Sequence, residues 1–415
     1  MADDTKRGMS RRSLLKAGAG GALGGFVASE EGFAEEDGKS VERDVYGELG
    51  VRQIINAAGV ITTLGGSLMP AEVLAAWNAA AKSFVNLEEL ESRVGEKIAK
   101  LLGVEAALVT TGAAGAIVVG AAAAVTLRDR SFVGRLPLPP DTRVDVIRQK
   151  THRLCYDNLV TATGAHLVDV ETRADLERAI SPRTALMFSY NVYESRGKIR
   201  HREWIEVARS HGIPTFLDAA SDTPPLDRLW KYNQMGYDMV AFSGGKAILG
   251  PQGTGLLLGR KDLIEAAKLN TAPRCGNIGR GMKVSKEDMV AMWAAVERYV
   301  NLDHDAEWQR WERHLGVLED ALKDIPTVST KRVVPPVANH VPHLLIFWDE
   351  KKVRMTRAGL RQELARGEPS IVTASVYDWG DGGFLVSVFL LKPGEDKIVA
   401  GRLREILKKA SKESA

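Results

Sequence analysis

The chain has 415 residues, is 45% hydrophobic and 26% charged, and carries a net charge of +3 from 56 basic and 53 acidic residues. Charge this near balance gives no support for a nucleic-acid or membrane-surface partner. The two cysteines, Cys155 and Cys275, form neither a disulfide framework nor a metal-ligand spacing, and no run approaches the roughly 18 apolar residues of a spanning helix.

Residues 1–34 stand apart. Ser10-Arg11-Arg12-Ser13-Leu14-Leu15-Lys16 leads into a weakly apolar, small-residue stretch ending at Val27. This is the pattern of a twin-arginine export signal, with Leu14 where phenylalanine is usual and cleavage after Ser29 or Ala34. It predicts a periplasmic or exported protein; the plainer alternative is a disordered basic tail on a cytoplasmic one. Residues 35–50 read as a polar linker, 51–300 as a large domain and 301–415 as a small C-terminal one.

Within the large domain, residues 51–70 form a loop rich in glycine and hydroxyl groups, too irregular for one regular element, in which Gly65 and Gly66 are candidate ligand-binding positions. Pro70 and Ala71 open a helix to Val85, and a second helix spans Leu87–Leu102 with an apolar stripe of Leu90, Val94, Ile98 and Leu101. A strand at 106–110, a tight turn at Thr111-Gly112-Ala113-Ala114-Gly115 and an apolar helix over 116–127 follow. That order presents free backbone N–H groups where a phosphate fits, although a plain strand-to-helix connection uses the same residues.

Strands and helices then alternate. Strands are expected at 144–147, 165–168, 184–188, 214–217 and 238–242, helices at 157–163, 173–180 and 203–211, and a helical or irregular segment at 226–236. Alternation of this kind predicts a mostly parallel sheet covered on both faces, whose ligands bind outside the carboxyl ends of the strands. His152, Asn191, Asp218 and the Ser243–Lys246 segment all follow such strand ends. One site assembled from all four is therefore expected.

The stretch from Phe242 to Gly255 places a single lysine, Lys246, in a glycine-rich loop between two apolar runs. It reads either as a surface lysine in a turn or as a lysine that binds pyridoxal phosphate (PLP) through its amine, which requires a lowered pKa. Asp218 ends a buried strand 28 residues earlier. An aspartate there is often a cap or a structural acceptor. Paired with such a lysine, it instead suits the cofactor's ring nitrogen, which it keeps protonated. A helix from Lys286 to Val300, continued over 306–323, leads to the small domain. That domain is expected to have strands at 343–348, 371–376 and 384–388 and helices at 357–366 and 397–410.

Several segments match one family in the same order: Ile55–Gly59, Leu64–Ser67, Val109–Ala114, Asp218-Ala219-Ala220, Ser243–Lys246, Gly250-Pro251-Gln252 and Arg280–Glu287. Leu391-Lys392-Pro393-Gly394-Glu395 is a weaker match. The region from about Asn56 to Val300 resembles the PLP-dependent enzymes of aspartate-aminotransferase fold (fold type I), within them the group of selenocysteine synthase and D-glucosaminate-6-phosphate ammonia-lyase. The fold class implied is α/β: a mostly parallel large domain plus a small α+β domain.

The resemblance implies roles as well. Lys246 would bind the cofactor and move the substrate's α-proton, while Asp218 would hold the ring nitrogen. The Gly112 and Ala113 amides with the Ser243 hydroxyl would hold the phosphate. His152 would stack on the ring, Asn191 would bond its hydroxyl, and Gln252 would reach the phosphate of the partner in a homodimer. Arg280 and Lys283 would bind a substrate carboxylate or phosphate, or else form a solvated cationic patch. The expected activity is a lyase acting on a small amino acid or amino sugar acid, with transferase, racemase or aminotransferase chemistry and a non-catalytic binding protein as alternatives. Selenocysteine synthesis, which works on aminoacylated tRNA, is disfavoured because the N-terminus looks like an export signal rather than a tRNA-binding domain, and the modest net charge agrees.

Overall fold

The computed structural model describes residues 43–374 and 382–412, which fall into compact units 1–52 and 53–415. The export segment lies outside the described residues. In the first unit the expected linker contains one helical turn, Val45–Glu48, capped by the Asp44 carboxylate and braced by an Arg43–Glu48 ion pair.

The second unit is organised by a seven-stranded sheet. β1 (Ile54–Ala57) lies outside it. β2 (Ala106–Thr110), β3 (Asp145–Gln149), β4 (His166–Val170), β5 (Thr184–Tyr190), β6 (Thr215–Asp218), β7 (Met239–Ser243) and β8 (Gly255–Gly259) run in the spatial order β2-β8-β7-β6-β5-β3-β4. β8 is antiparallel to both neighbours and every other pair is parallel. Successive residues point to opposite faces. Ile147, Met187, Leu217 and Val240 enter one apolar cluster, and Val146, Leu186, Phe216 and Ala241 the other. Burial on both faces explains why these strands read as continuous apolar runs.

The first cluster is closed by α1 (Ala71–Ala81) and α2 (Leu87–Leu102). α2 begins where Asn86 accepts from the Glu88 and Glu89 amides and ends at Gly103, whose φ of 64° admits the left-handed cap. α3 (Gly112–Arg128) covers the second cluster, buried along almost its whole length. Its small residues let it approach the sheet: a Cβ on Gly120 would lie 2.4 Å from the Phe216 ring. α4 (His201–Ser210), α5 (Arg228–Met235), α6 (Lys261–Leu269) and α7 (Lys286–Asn301) complete the layers. α6 was not anticipated, and α3 begins four residues earlier than expected.

The expected continuation of α7 is interrupted at Leu302-Asp303, where the Asp303 carboxylate accepts from the Ala306 amide and starts α8 (His304–Leu322). Beyond it come β9 (Ser329–Val333), β10 (His343–Phe347), α9 (Arg357–Arg366), β11 (Ser370–Thr373), β12 (Phe384–Ser387) and α10 (Glu395–Lys412). β12, β10 and β9 form an antiparallel sheet. Residues 375–376, expected to extend β11, lie outside the described residues. β1 pairs in parallel with β11, and its Ile55 and Ala57 join the cluster of Leu344, Ile346, Phe384 and Leu403. Part of the 51–70 stretch, expected to be irregular, is therefore a strand packed with the C-terminal elements.

Candidate active site

The carboxyl ends of β2, β3, β5, β6 and β7 lie along one edge of the sheet. β6 and β7 are buried except at their last residues, Asp218 and Ser243, which are partly open. The register sets Thr110, Gly255 and Ser243 in one row across β2, β8 and β7.

Lys246 follows in a loop held by its own backbone. Gly244 N donates to Thr254 O at 2.8 Å and Gly250 N to Gly244 O at 2.9 Å. A Cβ on Gly245 would sit 2.4 Å from the Gln252 Cα, so only glycine permits this closure. The Lys246 amine donates to the Ser221 hydroxyl. Burial pushes its pKa down, against the opposing charges of Asp218 and Asp222, so the neutral amine is available at lower pH than for a free lysine.

Two carboxylates thus face this amine. Asp218 accepts from the Ala220 amide at 2.9 Å. Burial, helped by the charge of Asp222, raises its pKa to about 6, while the Ala220 bond and Lys246 pull it down. Asp222 is fully buried and accepts from the Tyr232 hydroxyl at 2.8 Å and from Asn191 Nδ2; burial raises its pKa too. Both bonds to Asp222 fall on its Oδ2 and fix that carboxylate in the core, whereas Asp218, at the partly open end of β6, uses only Oδ1 and presents Oδ2 to a cationic ring N–H.

At the other end of the site, the N–H groups of residues 112–114 precede the first backbone bond of α3, from Gly115 N to Thr111 O. Gly112 has φ 66°, and a Cβ there would enter open space. The Ser243 hydroxyl, across Gly255, makes no hydrogen bond among the described residues. Helix-end N–H groups, a free hydroxyl, a carboxylate of raised pKa and an amine of lowered pKa are the donor set that PLP requires, and the residues present fit the cofactor.

Other expected residues are placed differently. His152 is 1% exposed, and among the described residues neither ring nitrogen has a side-chain hydrogen-bond partner. Its ring lies beside Ser189, His201 and Tyr237, and burial, more than the charges of His201 and Arg148, keeps it neutral with a pKa of about 4. Tyr156 in the same loop is half exposed, and its pKa is raised by burial and by the charges of Cys155 and Asp218. The open aromatic side chain of this loop is therefore Tyr156. Asn191 uses its NH2 on Asp222 and Tyr232, leaving Oδ1 buried and unbonded.

Gln252 donates to Thr62 O at 2.9 Å and Ser67 to Gly245 O at 3.0 Å, so the Gly65–Gly66 loop lies against the lysine loop. Arg280 and Lys283 are exposed and make no ion pair among the described residues. Ser221, Asp222 and Tyr232 were not anticipated. The available signal was a second aspartate four residues beyond Asp218, followed by Pro224-Pro225.

A profile of the family "Aminotransferase class-V" matches residues 147–277. D-Glucosaminate-6-phosphate ammonia lyase of Salmonella typhimurium is 28% identical over 379 residues, covering 89% of this chain and 99% of that protein. A solved structure of D-glucosaminate-6-phosphate ammonia-lyase superposes with a TM-score of 0.77 at 27% identity, over 89% of this chain and 100% of the other.

The chain has the aspartate-aminotransferase-like fold and is similar in sequence to PLP-dependent enzymes of fold type I.

Two further relatives show the chemical range of this group. The 5'-C-glycyluridine monooxygenase-decarboxylase of a Streptomyces species is 29% identical, over 87% of this chain and 92% of that protein. An L-seryl-tRNA(Sec) selenium transferase of Moorella thermoacetica is 28% identical, over 70% and 61%. The chain is accordingly a PLP-dependent enzyme similar to both lyases and transferases.

Proposed function

We propose that this PLP-dependent lyase eliminates a β-substituent from a small amino acid or an amino sugar acid and releases ammonia and a 2-keto product. The observation that carries this reading is the buried Lys246 amine, flanked by Asp218 and Asp222, on the same strand edge as the start of α3. Bound PLP supplies an electron sink for the charge left at the substrate Cα.

The protein's own groups do the remaining work. Lys246 Nζ would hold the cofactor and would move the substrate's Cα proton, and its burial favours the neutral form this requires. Asp218 would hold the ring nitrogen protonated. The Gly112 and Ala113 amides and the Ser243 hydroxyl would hold the phosphate. Arg280 and Lys283 supply uncommitted cations for a substrate phosphate or carboxylate.

Near-complete mutual coverage with the ammonia lyase, against 61% of the selenium transferase, supports an amino sugar acid over an aminoacyl-tRNA. A homodimer is supported by the exposed Leu68, Leu74, Phe84 and Val85 on and beside α1, which follows directly on the loop packed against the lysine loop. The twin-arginine motif supports export of the folded, cofactor-loaded protein.

The test is a screen of D- and L-amino acids and amino sugar acids, with and without phosphate, measuring ammonia and 2-keto acid. Equimolar release of both from one substrate is expected. Carbon dioxide release with oxygen consumption would instead favour chemistry like that named for the Streptomyces relative. A mature N-terminus beginning after residue 29 or 34, lost in an Arg11→Lys, Arg12→Lys variant, checks export.

A further inference from the structure

The turn between β6 and α5 touches both Lys246 and the C-terminal half of the chain. Ser221 accepts from the Lys246 amine through its hydroxyl, and through its backbone carbonyl it accepts from the Asn339 amide at 2.8 Å. Arg228, at the far end of the turn, donates to Asp222 O at 2.9 Å, to Pro336 O at 2.9 Å and to Val337 O. Asp222 is fixed from a third side by Tyr232 and Asn191. Three groups from the end of β6 and the turn after it therefore converge on one lysine: the carboxylates of Asp218 and Asp222 and the Ser221 hydroxyl. The stretch 336–339 closes over the same turn.

The geometry points to the turn 219–225 as a positioning element: the Ser221 hydroxyl aims the Lys246 amine, and the grip of residues 336–339 on the turn makes that aim depend on the C-terminal segment. This deepens the functional reading above and rests on Lys246 being the cofactor lysine. Ser221 serves the ammonium as an acceptor and the neutral amine as a donor. The charge-assisted bond is the stronger of the two, so losing the hydroxyl costs the ammonium more. The charged groups facing the amine, Asp218 and Asp222, stay in place in a Ser221→Ala protein, as does Arg228 beside Asp222.

The experiment uses the full chain freed of cofactor. The pH dependence of Lys246 arylation by trinitrobenzenesulfonate, read on the Lys246 peptide by mass spectrometry, gives the midpoint of the amine. Ser221→Ala should lower that midpoint by about 0.5–1 pH unit and slow the limiting rate of PLP capture, and Ser221→Thr should restore both. In parallel, backbone amide exchange of the peptide spanning 336–341 should slow when wild-type protein is loaded with PLP and should not respond in Ser221→Ala. An unchanged midpoint in Ser221→Ala, or exchange in 336–341 indifferent to loading in the wild type, would overturn the proposal. Failure to take up PLP at all would refute the functional reading, while the arylation midpoint would still decide whether Ser221 holds the amine.

Discussion

Asp218→Asn is a substitution at the centre of the site that should stabilise the cofactor-free protein. Asp218 has its pKa raised from 3.8 to about 6 in the folded chain, mainly by burial. Its folded state therefore binds the proton more tightly than the unfolded state, and stability falls as pH rises from about 4 to about 6. At 1.36 kcal/mol per pH unit, the shift amounts to a penalty of about 3 kcal/mol above pH 6, an upper bound because the group is partly open. Asparagine keeps the acceptor for the Ala220 amide and removes the charge.

Urea unfolding of the cofactor-free proteins across pH 4–8 is the assay. At pH 8 the variant should be more stable by up to about 3 kcal/mol, and the gain should vanish toward pH 4. The same variant should bind PLP more weakly, because a neutral amide cannot keep the ring nitrogen protonated. Equal or lower stability of the variant at pH 8, or a difference independent of pH, would refute the argument that burial of this charge is retained for the cofactor.

Gly112→Ala should lower stability by about 1–2 kcal/mol through the left-handed φ alone, measured by thermal unfolding, and should weaken PLP binding because the new Cβ enters the phosphate space. Gly255→Ala should be worse, since its Cβ would lie 2.3 Å from the Gly112 carbonyl carbon; loss of soluble protein or a larger drop in Tm checks this. Ser243→Ala should leave unfolding near wild type and weaken PLP binding roughly tenfold, the cost of one hydrogen bond to a charged group, measured by equilibrium titration.

The large-domain sheet was legible because its strands are buried on both faces and its turns are marked by glycine and aspartate. The bounds of α2 were readable for a local reason, Asn86 before it and Gly103 after it. Asp218, Ser243 and Lys246 could be grouped because parallel topology brings strand ends to one edge whatever the packing in between. The link from Asp222 to Asn191 and Tyr232 was not readable, since it joins side chains 31 and 10 residues apart that only the folded core brings together. β9 was missed because Ser329-Thr-Lys-Arg-Val333 is a mostly exposed edge strand without an alternating apolar pattern. β1 was missed because its partner, β11, lies more than 300 residues away.

The most direct test of the account is the absorption of the protein with PLP. Wild-type protein should show a visible band that borohydride fixes, with the label on the Lys246 peptide, and Lys246→Ala should show neither band nor label. A band and label that persist in Lys246→Ala, or a wild-type protein that binds no PLP, would contradict it.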